Sequence, residues 1–336
     1  MQWTSYAPLL NFKVDQDFSI GNFQIIKTIT DDFLKKQHID LKPLDEFEQK
    51  MILNSPMLVV KLKIQENVVD VLKQVMNGGS ALVDRGSISD KIGSEGSAEV
   101  NGFLNVLTLF KPWMFTPLFA GPIIYRGFHE GIHAGWTSGT INPKSVAYPK
   151  FYYNLTNSEI EELQNFFVSI STFFDSKKNK ISNRINFAYS WLKKAREIVD
   201  VNDRLIFLTI AIESLMSKET DELSYRISHR TSALLGETLL EKQFIFRNMR
   251  KMYKKRSSLV HGVPISIRFA ETEFLLEVLR VLILRMMSLS LKNYSDANLL
   301  DELLDTIFEP DRVKTILSDS TQLFGSKAHF HTFLTR

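Results

Sequence analysis

Apolar residues fall in short runs or alternate with polar ones through the first part of this chain. They recur at helical spacing through the rest. Phe18-Ser-Ile-Gly-Asn-Phe-Gln-Ile-Ile26 predicts a hairpin with Gly-Asn at its turn. Met57–Ile64 and Phe103–Phe110 are apolar, aromatic or β-branched runs that predict strands. Between them, Asn77–Gly102 carries Gly78, Gly79, Gly86, Gly93, Gly96 and Gly102 and predicts a loop. Further on, Thr156-Asn-Ser-Glu159 has the spacing of a capping box and opens a helix to about Phe174. After a polar break at Ser176–Lys180, helices are expected near 184–199, 202–218, 221–235, 238–261, 268–293 and 296–308.

This order predicts an α+β protein. Residues 1–126 form a strand-rich α+β domain, a possible sensor or regulator. Residues 127–150, with Gly127, Gly131, Gly135, Gly139, Pro143 and Pro149, form a linker. Residues 151–320 form a helical domain, and residues 321–336 a tail.

With 336 residues, 44% hydrophobic and 24% charged, the chain has ample material for a core. Its net charge of +3 means that any nucleic-acid site is a local patch. It has no cysteine, which excludes disulfides, thiolate zinc sites and cysteine nucleophiles. No signal peptide is visible, and the apolar stretch Phe274–Leu291 is interrupted by Glu277, Arg280 and Arg285. It reads as a buried or interface helix and not as a membrane span. A cytoplasmic protein is expected. The glycine-rich stretch contains neither G-x-x-x-x-G-K-[ST] nor G-x-G-x-x-G, so no nucleotide loop and no cofactor are expected.

Tyr253-Lys-Lys-Arg-Ser-Ser-Leu-Val-His-Gly262 holds the most informative chemistry. Arg256 and His261 stand in an R-x₄-H arrangement at a predicted helix end. A guanidinium holds a phosphate at any physiological pH, and an imidazole can move a proton. Together they suit metal-free cleavage of RNA, in which the 2′-hydroxyl is the nucleophile. No Asp or Glu occurs from Lys242 to Ala270, so Arg247, Arg250, Lys251, Lys254 and Lys255 read as a basic surface for flanking phosphates. The bare motif has a simpler reading, basic side chains favouring a helix C-terminus. Arg256 and His261 are also about 140° apart around a helix, whereas Ser257 and His261 share a stripe.

The Ile-Glu-Ser-Leu run at Ile212–Leu215, the Arg-x-x-Ala-Leu-Leu run at Arg230–Leu235 and the Tyr-x-x-Arg-Ser-x-x-Val-His-Gly run at Tyr253–Gly262 together resemble the HEPN superfamily, specifically its Apea-like branch. The resemblance covers roughly residues 185–290. It implies an all-α HEPN bundle and a metal-independent endoribonuclease of the kind found in phage defence or toxin systems, with Arg256 and His261 catalytic. It also implies a site at a homodimer cleft. The apolar helix at 274–291, with Leu282, is the expected dimer contact. Active members usually carry Asn, Asp or His after the motif arginine, where this chain has Ser257. That departure keeps a non-catalytic nucleic-acid or protein interaction module open as the alternative.

Supporting roles fall to Glu213, Arg230 and Tyr253. Glu213 either pairs structurally with an arginine such as Arg230 or orients a site arginine. His229 is explained equally well by a solvated helix face. Tyr253 either packs in the core or stacks on a base. A third reading is a zinc hydrolase on His129-Glu-Gly-Ile-His133, which matches H-E-x-x-H but requires a helix that Gly127, Gly131 and Gly135 disfavour. His329 and His331 fall in the C-terminal tail.

Overall fold

The structure is a computed structural model. It describes residues 2–9, 12–37, 39, 41–42, 46–62, 85–111, 123–129, 132–138, 153–176, 180–198, 200–217, 223–292, 310–321, 323–324, 327 and 330. The fold is α+β: mostly helical, with a small antiparallel sheet towards the N-terminus. The chain divides into two compact units, Met1–Leu107 with Phe115–Asn165, and Thr108–Met114 with Phe166–Arg336.

The first unit is built on a six-stranded sheet. Its strands are β1 (Gln2–Pro8), β3 (Phe18–Ile20), β4 (Phe23–Ile26), β5 (Met57–Leu62), β6 (Ile123–His129) and β7 (Ile132–Ser138), in the order β3-β4-β5-β1-β6-β7. Every neighbouring pair is antiparallel. The expected hairpin is present: Ile20 pairs with Phe23, and Gly21 takes φ 58° at the turn. That left-handed backbone is why glycine stands there. A short parallel pair joins β2 (Phe12–Val14) to β8 (Tyr153–Leu155), with the Phe12 and Tyr153 rings stacked 5.4 Å apart. Helices α1 (Asp31–Lys36) and α2 (Glu46–Leu53) contribute Leu34 and Ile52 to a core with Tyr6, Met57 and Val59.

Two expectations for this half are corrected. From Arg85 on, the glycine-rich stretch and the run after it form one helix, α3 (Arg85–Phe110), not a loop and a strand, and residues 77–84 lie outside the described residues. Val100, Phe103, Leu104 and Leu107 are all buried, which is helical spacing. A window of eight residues, six of them apolar, starting after Gly102 was too short to separate the two periods. The supposed linker at 127–150 also contains structure. Residues 127–129 end β6 and residues 132–138 form β7, with Arg126 opposite Gly135 and Gly127 opposite Ala134. Glycine marked a hairpin within a sheet here, not a boundary between domains. The divisions between the units fall within α3 and within α4 (Asn157–Asp175). The α4 capping box is formed: the Glu159 N–H donates to Thr156 Oγ1, and the Thr156 N–H donates to Glu159 Oε2 at 3.1 Å.

The second unit is helical. It contains α5 (Lys180–Glu197), α6 (Val201–Met216), α7 (Leu223–Leu235), α8 (Leu239–Val260), α9 (Phe269–Leu291) and α10 (Pro310–Thr321). The helix expected at 296–308 lies outside the described residues. Asp200 caps α6 by accepting from the N–H groups of Asn202 and Asp203. At the other end, Arg184 donates to the carbonyls of Ser214 and Ser217, and Arg230 donates to that of Met216 at 2.8 Å. Guanidinium groups thus meet the carbonyls that a helix C-terminus leaves unpaired. Helix α9 is the hub, packing against α5, α6, α7 and α10. It is buried on all sides, and its charges are satisfied inside the unit. Arg280 makes a two-pronged pair with Glu277 at 2.6 and 2.7 Å and donates to the carbonyls of Leu109 and Lys327, both at 2.9 Å. Arg285 reaches the carbonyl of Leu234 and the carboxylate of Glu237.

The expected dimer contact is therefore corrected. Leu282 is fully buried in its own chain and offers no surface to a second copy. An apolar helix without a polar face belongs at the centre of its domain. The C-terminal tail also contributes to packing, since Phe330 is buried with its ring 6.0 Å from that of Phe274.

Candidate nucleic-acid site at the end of α8

Helix α8 begins with a second capping box, Thr238 and Glu241. It ends in a Schellman turn. His261 is the C-cap residue, Gly262 takes φ 71°, the Gly262 N–H donates to Leu259 O at 3.1 Å, and the Val263 N–H donates to Ser258 O at 2.9 Å. Glycine permits the left-handed step, and the paired carbonyls fix the backbone at His261. The His261 and Ser257 side chains are exposed.

Arg256 points elsewhere. Its Nη2 lies 3.8 Å from Glu213 Oε1 on α6, with the two side chains 31% and 20% exposed. Among the described residues no hydrogen bond or ion pair joins Arg256 to His261. This agrees with the roughly 140° offset expected of a regular helix. Of the two readings of Glu213, the pairing is with Arg256 and not with Arg230. Burial pushes the Glu213 carboxyl above its ordinary range, and Arg256 offsets part of that rise. The contact is an ion pair without a hydrogen bond, since Glu213 Oε1 and Arg256 Nε are both buried without a hydrogen-bond partner.

Tyr253 lies in the core. Its ring is 4% exposed, and its hydroxyl reaches the Thr209 carbonyl at 3.5 Å. Burial, with Glu213 adding and Arg256 opposing, holds its phenol well above the usual value. It is therefore not available to stack on a base. Arg230 is also fully buried, donating to the Met216 carbonyl at the end of α6, and is part of the scaffold.

The basic surface is narrower than the sequence suggests. Glu271, the first acidic residue after the acid-free stretch, takes two of its lysines. Lys251 Nζ is 2.9 Å from Oε1 and Lys255 Nζ is 2.6 Å from Oε2. Lys255 also donates to the Ser266 carbonyl at 2.7 Å, and the Arg268 N–H donates to Glu271 Oε2. Burial alone would raise the Glu271 carboxyl. The hydrogen bonds from Lys255, Arg268 and Lys251 outweigh that and bring it down to about 2. The remaining exposed cations on α8 are Arg247, Arg250 and Lys254. Glu271 was missed because it sits just beyond the acid-free window. Its signal was the Arg268-x-x-Glu271 spacing of a helix start.

His129 and His133 lie on β6 and β7, where His133 is opposite Phe128 and His129 opposite Ile132. They are not one turn apart on a helix, so the zincin arrangement is absent. Glu130, His329 and His331 lie outside the described residues. Among the described residues, no three His, Asp or Glu side chains are grouped to hold a metal ion, and no helix is long and apolar enough to cross a membrane. No protein-family model matches the chain, and neither does any curated protein or solved structure at the level of significance.

Proposed function

We propose that this chain is a metal-independent endoribonuclease of HEPN type, acting in the cytoplasm, with residues 185–290 as the HEPN bundle. The observation that carries this reading is the end of α8. An exposed histidine stands there on a backbone fixed by a Schellman turn, on a helix that also exposes Arg250 and Lys254 and carries an arginine paired with a half-buried carboxylate. His261 would take the proton of the ribose 2′-hydroxyl as that oxygen attacks the phosphorus. The bond from phosphorus to the 5′-oxygen would break, and that oxygen would take a proton from the protonated imidazole or from water, leaving a 2′,3′-cyclic phosphate and a 5′-hydroxyl. A guanidinium would stabilise the charge on the phosphoryl oxygens.

Arg256 and His261 lie on different sides of α8. An arrangement that would join them at one phosphate is a pair of chains, the Arg256 of one copy facing the His261 of another. The apolar side chains left for such a contact are Val260 and Val263, both exposed at this helix end.

The test is to incubate the purified chain with total RNA in excess chelator and map the cut ends. His261→Ala and Arg256→Ala should each slow cleavage by about 10²–10⁴. Wild-type rates in His261→Ala would end the nuclease reading. The engagement of Arg256 by Glu213 favours a second reading, a module that binds nucleic acid without cutting it. In that case neither the wild-type chain nor the variants would turn over RNA.

A further inference from the structure

Arg247, Arg250, Lys254, Ser257 and His261 follow one another at steps of three or four residues, and all are exposed. Such steps keep side chains on one stripe about 5–6 Å from neighbour to neighbour. The row is roughly 21 Å long, at 1.5 Å per residue. It is a single file of cations because Glu271 holds Lys251 and Lys255 on one flank, and Glu213 holds Arg256 on the other. A broad patch suits a duplex with two backbones, whereas one file suits one backbone.

An aromatic group stands beside this row. The Arg250 guanidinium carbon lies 6.0 Å from the centre of the Phe246 ring. Phe246 meets Tyr225 of α7 edge-on, with centroids 5.7 Å apart. The Tyr225 ring lies nearly parallel to His229 at 6.0 Å and is 44% exposed. A half-exposed ring beside a file of cations matches the two halves of a single strand, its bases and its phosphates.

We infer that the α7–α8 face binds single-stranded RNA, with the backbone along Arg247, Arg250 and Lys254 and a base stacked on Tyr225, several nucleotides from the phosphate at His261. This deepens the nuclease reading by giving the strand a path away from the cut and a stacking residue for one of its bases, and it rests on that reading for the position of the cut. The stack itself reads no 2′-hydroxyl, so single-stranded DNA of the same sequence should bind comparably.

The experiment measures fluorescence anisotropy of a short labelled mixed-sequence RNA, single-stranded or annealed to its complement, with the full-length His261→Ala chain. The single strand should bind more tightly. Adding Tyr225→Ala should weaken that binding roughly tenfold, and Tyr225→Trp should restore it. Arg250→Ala and Lys254→Ala should each reduce the slope of log affinity against log salt by about 0.7. Tighter duplex binding, or a Tyr225→Ala affinity equal to its parent's, would overturn the inference while leaving the nuclease reading standing. Tyr225-dependent binding by a wild-type chain that does not cut would end the nuclease reading and leave the inference standing. No binding to either RNA would overturn the inference and leave the row as a surface for an acidic protein.

Discussion

Lys255 Nζ lies 2.6 Å from Glu271 Oε2, and this contact sets the shape of the basic surface on α8. The same carboxylate takes Lys251 through its other oxygen and receives the N–H of Arg268. It ties the end of α8 to the start of α9 across the segment that follows His261, which Lys255 also grips through the Ser266 carbonyl. Neutralising two lysines therefore does two things: it narrows the cationic surface, and it anchors the chain leaving the candidate site.

Glu271→Gln is expected to destabilise the fold in a pH-dependent way. Its carboxyl is held at about 2, below the ordinary value of 4.5. A depressed acid contributes stability above its unfolded value and loses it as pH falls towards the folded one. Wild type should thus lose stability between about pH 5 and 2, and the variant should lack that part of the acid transition. At neutral pH the difference should be on the order of 2 kcal/mol, allowing for screening at the half-exposed Lys251. Urea titrations at several pH values measure it.

Two glycines should respond differently to alanine. A Cβ on Gly236 would come within 2.7 Å of the Lys242 backbone nitrogen, which cannot swing aside. At Gly262 a Cβ meets nothing within 4 Å, and the cost is only the left-handed backbone at φ 71°. Gly236→Ala should cost about 1–3 kcal/mol through forced backbone shifts. Gly262→Ala should cost about 1–2 kcal/mol, and it should also displace His261 and lower cleavage. Denaturation curves and cleavage rates together separate the two.

Much of the helical half was legible, because long periodic segments bounded by Asp200, Thr238, Gly236 and Gly262 carry their own start and stop signals. The opening hairpin was legible for a similar reason, Gly21 at a two-residue turn. Gly86, Gly93, Gly96 and Gly102, and Gly127 and Gly135, misled because glycine is also tolerated inside a helix or a sheet when neighbours supply the packing. The position of Arg256 on the side opposite the exposed row was readable from helix geometry. Its partner Glu213, on another helix, was only a candidate. No one-dimensional pattern shows that Glu271 reaches back over sixteen residues to Lys255 or that Tyr225 neighbours Phe246.

Leu282→Asp should unfold the second unit and should not merely separate two copies. Leu282 is completely buried at the centre of the α9 packing, so an aspartate there would be an unpaired charge in the core. Circular dichroism should show lost helix together with any change in sedimentation. A folded monomeric variant would contradict this.

The Arg280–Glu277 pair should be costly to break from either side. Both side chains are almost completely buried, and Arg280 also satisfies two carbonyls. Arg280→Ala or Glu277→Ala should cost about 3–5 kcal/mol, since each leaves the other charge alone in the interior. Replacing both with apolar residues should recover part of the loss but not all of it, because the Leu109 and Lys327 carbonyls would stay unpaired. A double-mutant cycle in urea reads the coupling.

Glu213 should behave in the opposite way, and that contrast distinguishes a positioning residue from a structural one. Its carboxyl is raised by burial, and the Arg256 contact offsets only part of this. An acid raised on folding takes up a proton more readily in the native state. The stability it contributes is present at low pH and falls as pH rises past the ordinary carboxyl value towards the raised one. At neutral pH the ionised, half-buried group is thus a burden on the fold, and Glu213→Gln should leave stability unchanged or slightly higher. The same change removes the charge that holds Arg256 among the described residues, so on the nuclease reading cleavage should fall substantially. Wild-type cleavage should also decline at acidic pH as Glu213 protonates, and Glu213→Gln should lose that component of the profile. Denaturation at neutral pH and cleavage rates across the acidic range test both halves. A variant clearly less stable at neutral pH would make the Glu213–Arg256 contact a structural tie, with no role in aiming the guanidinium.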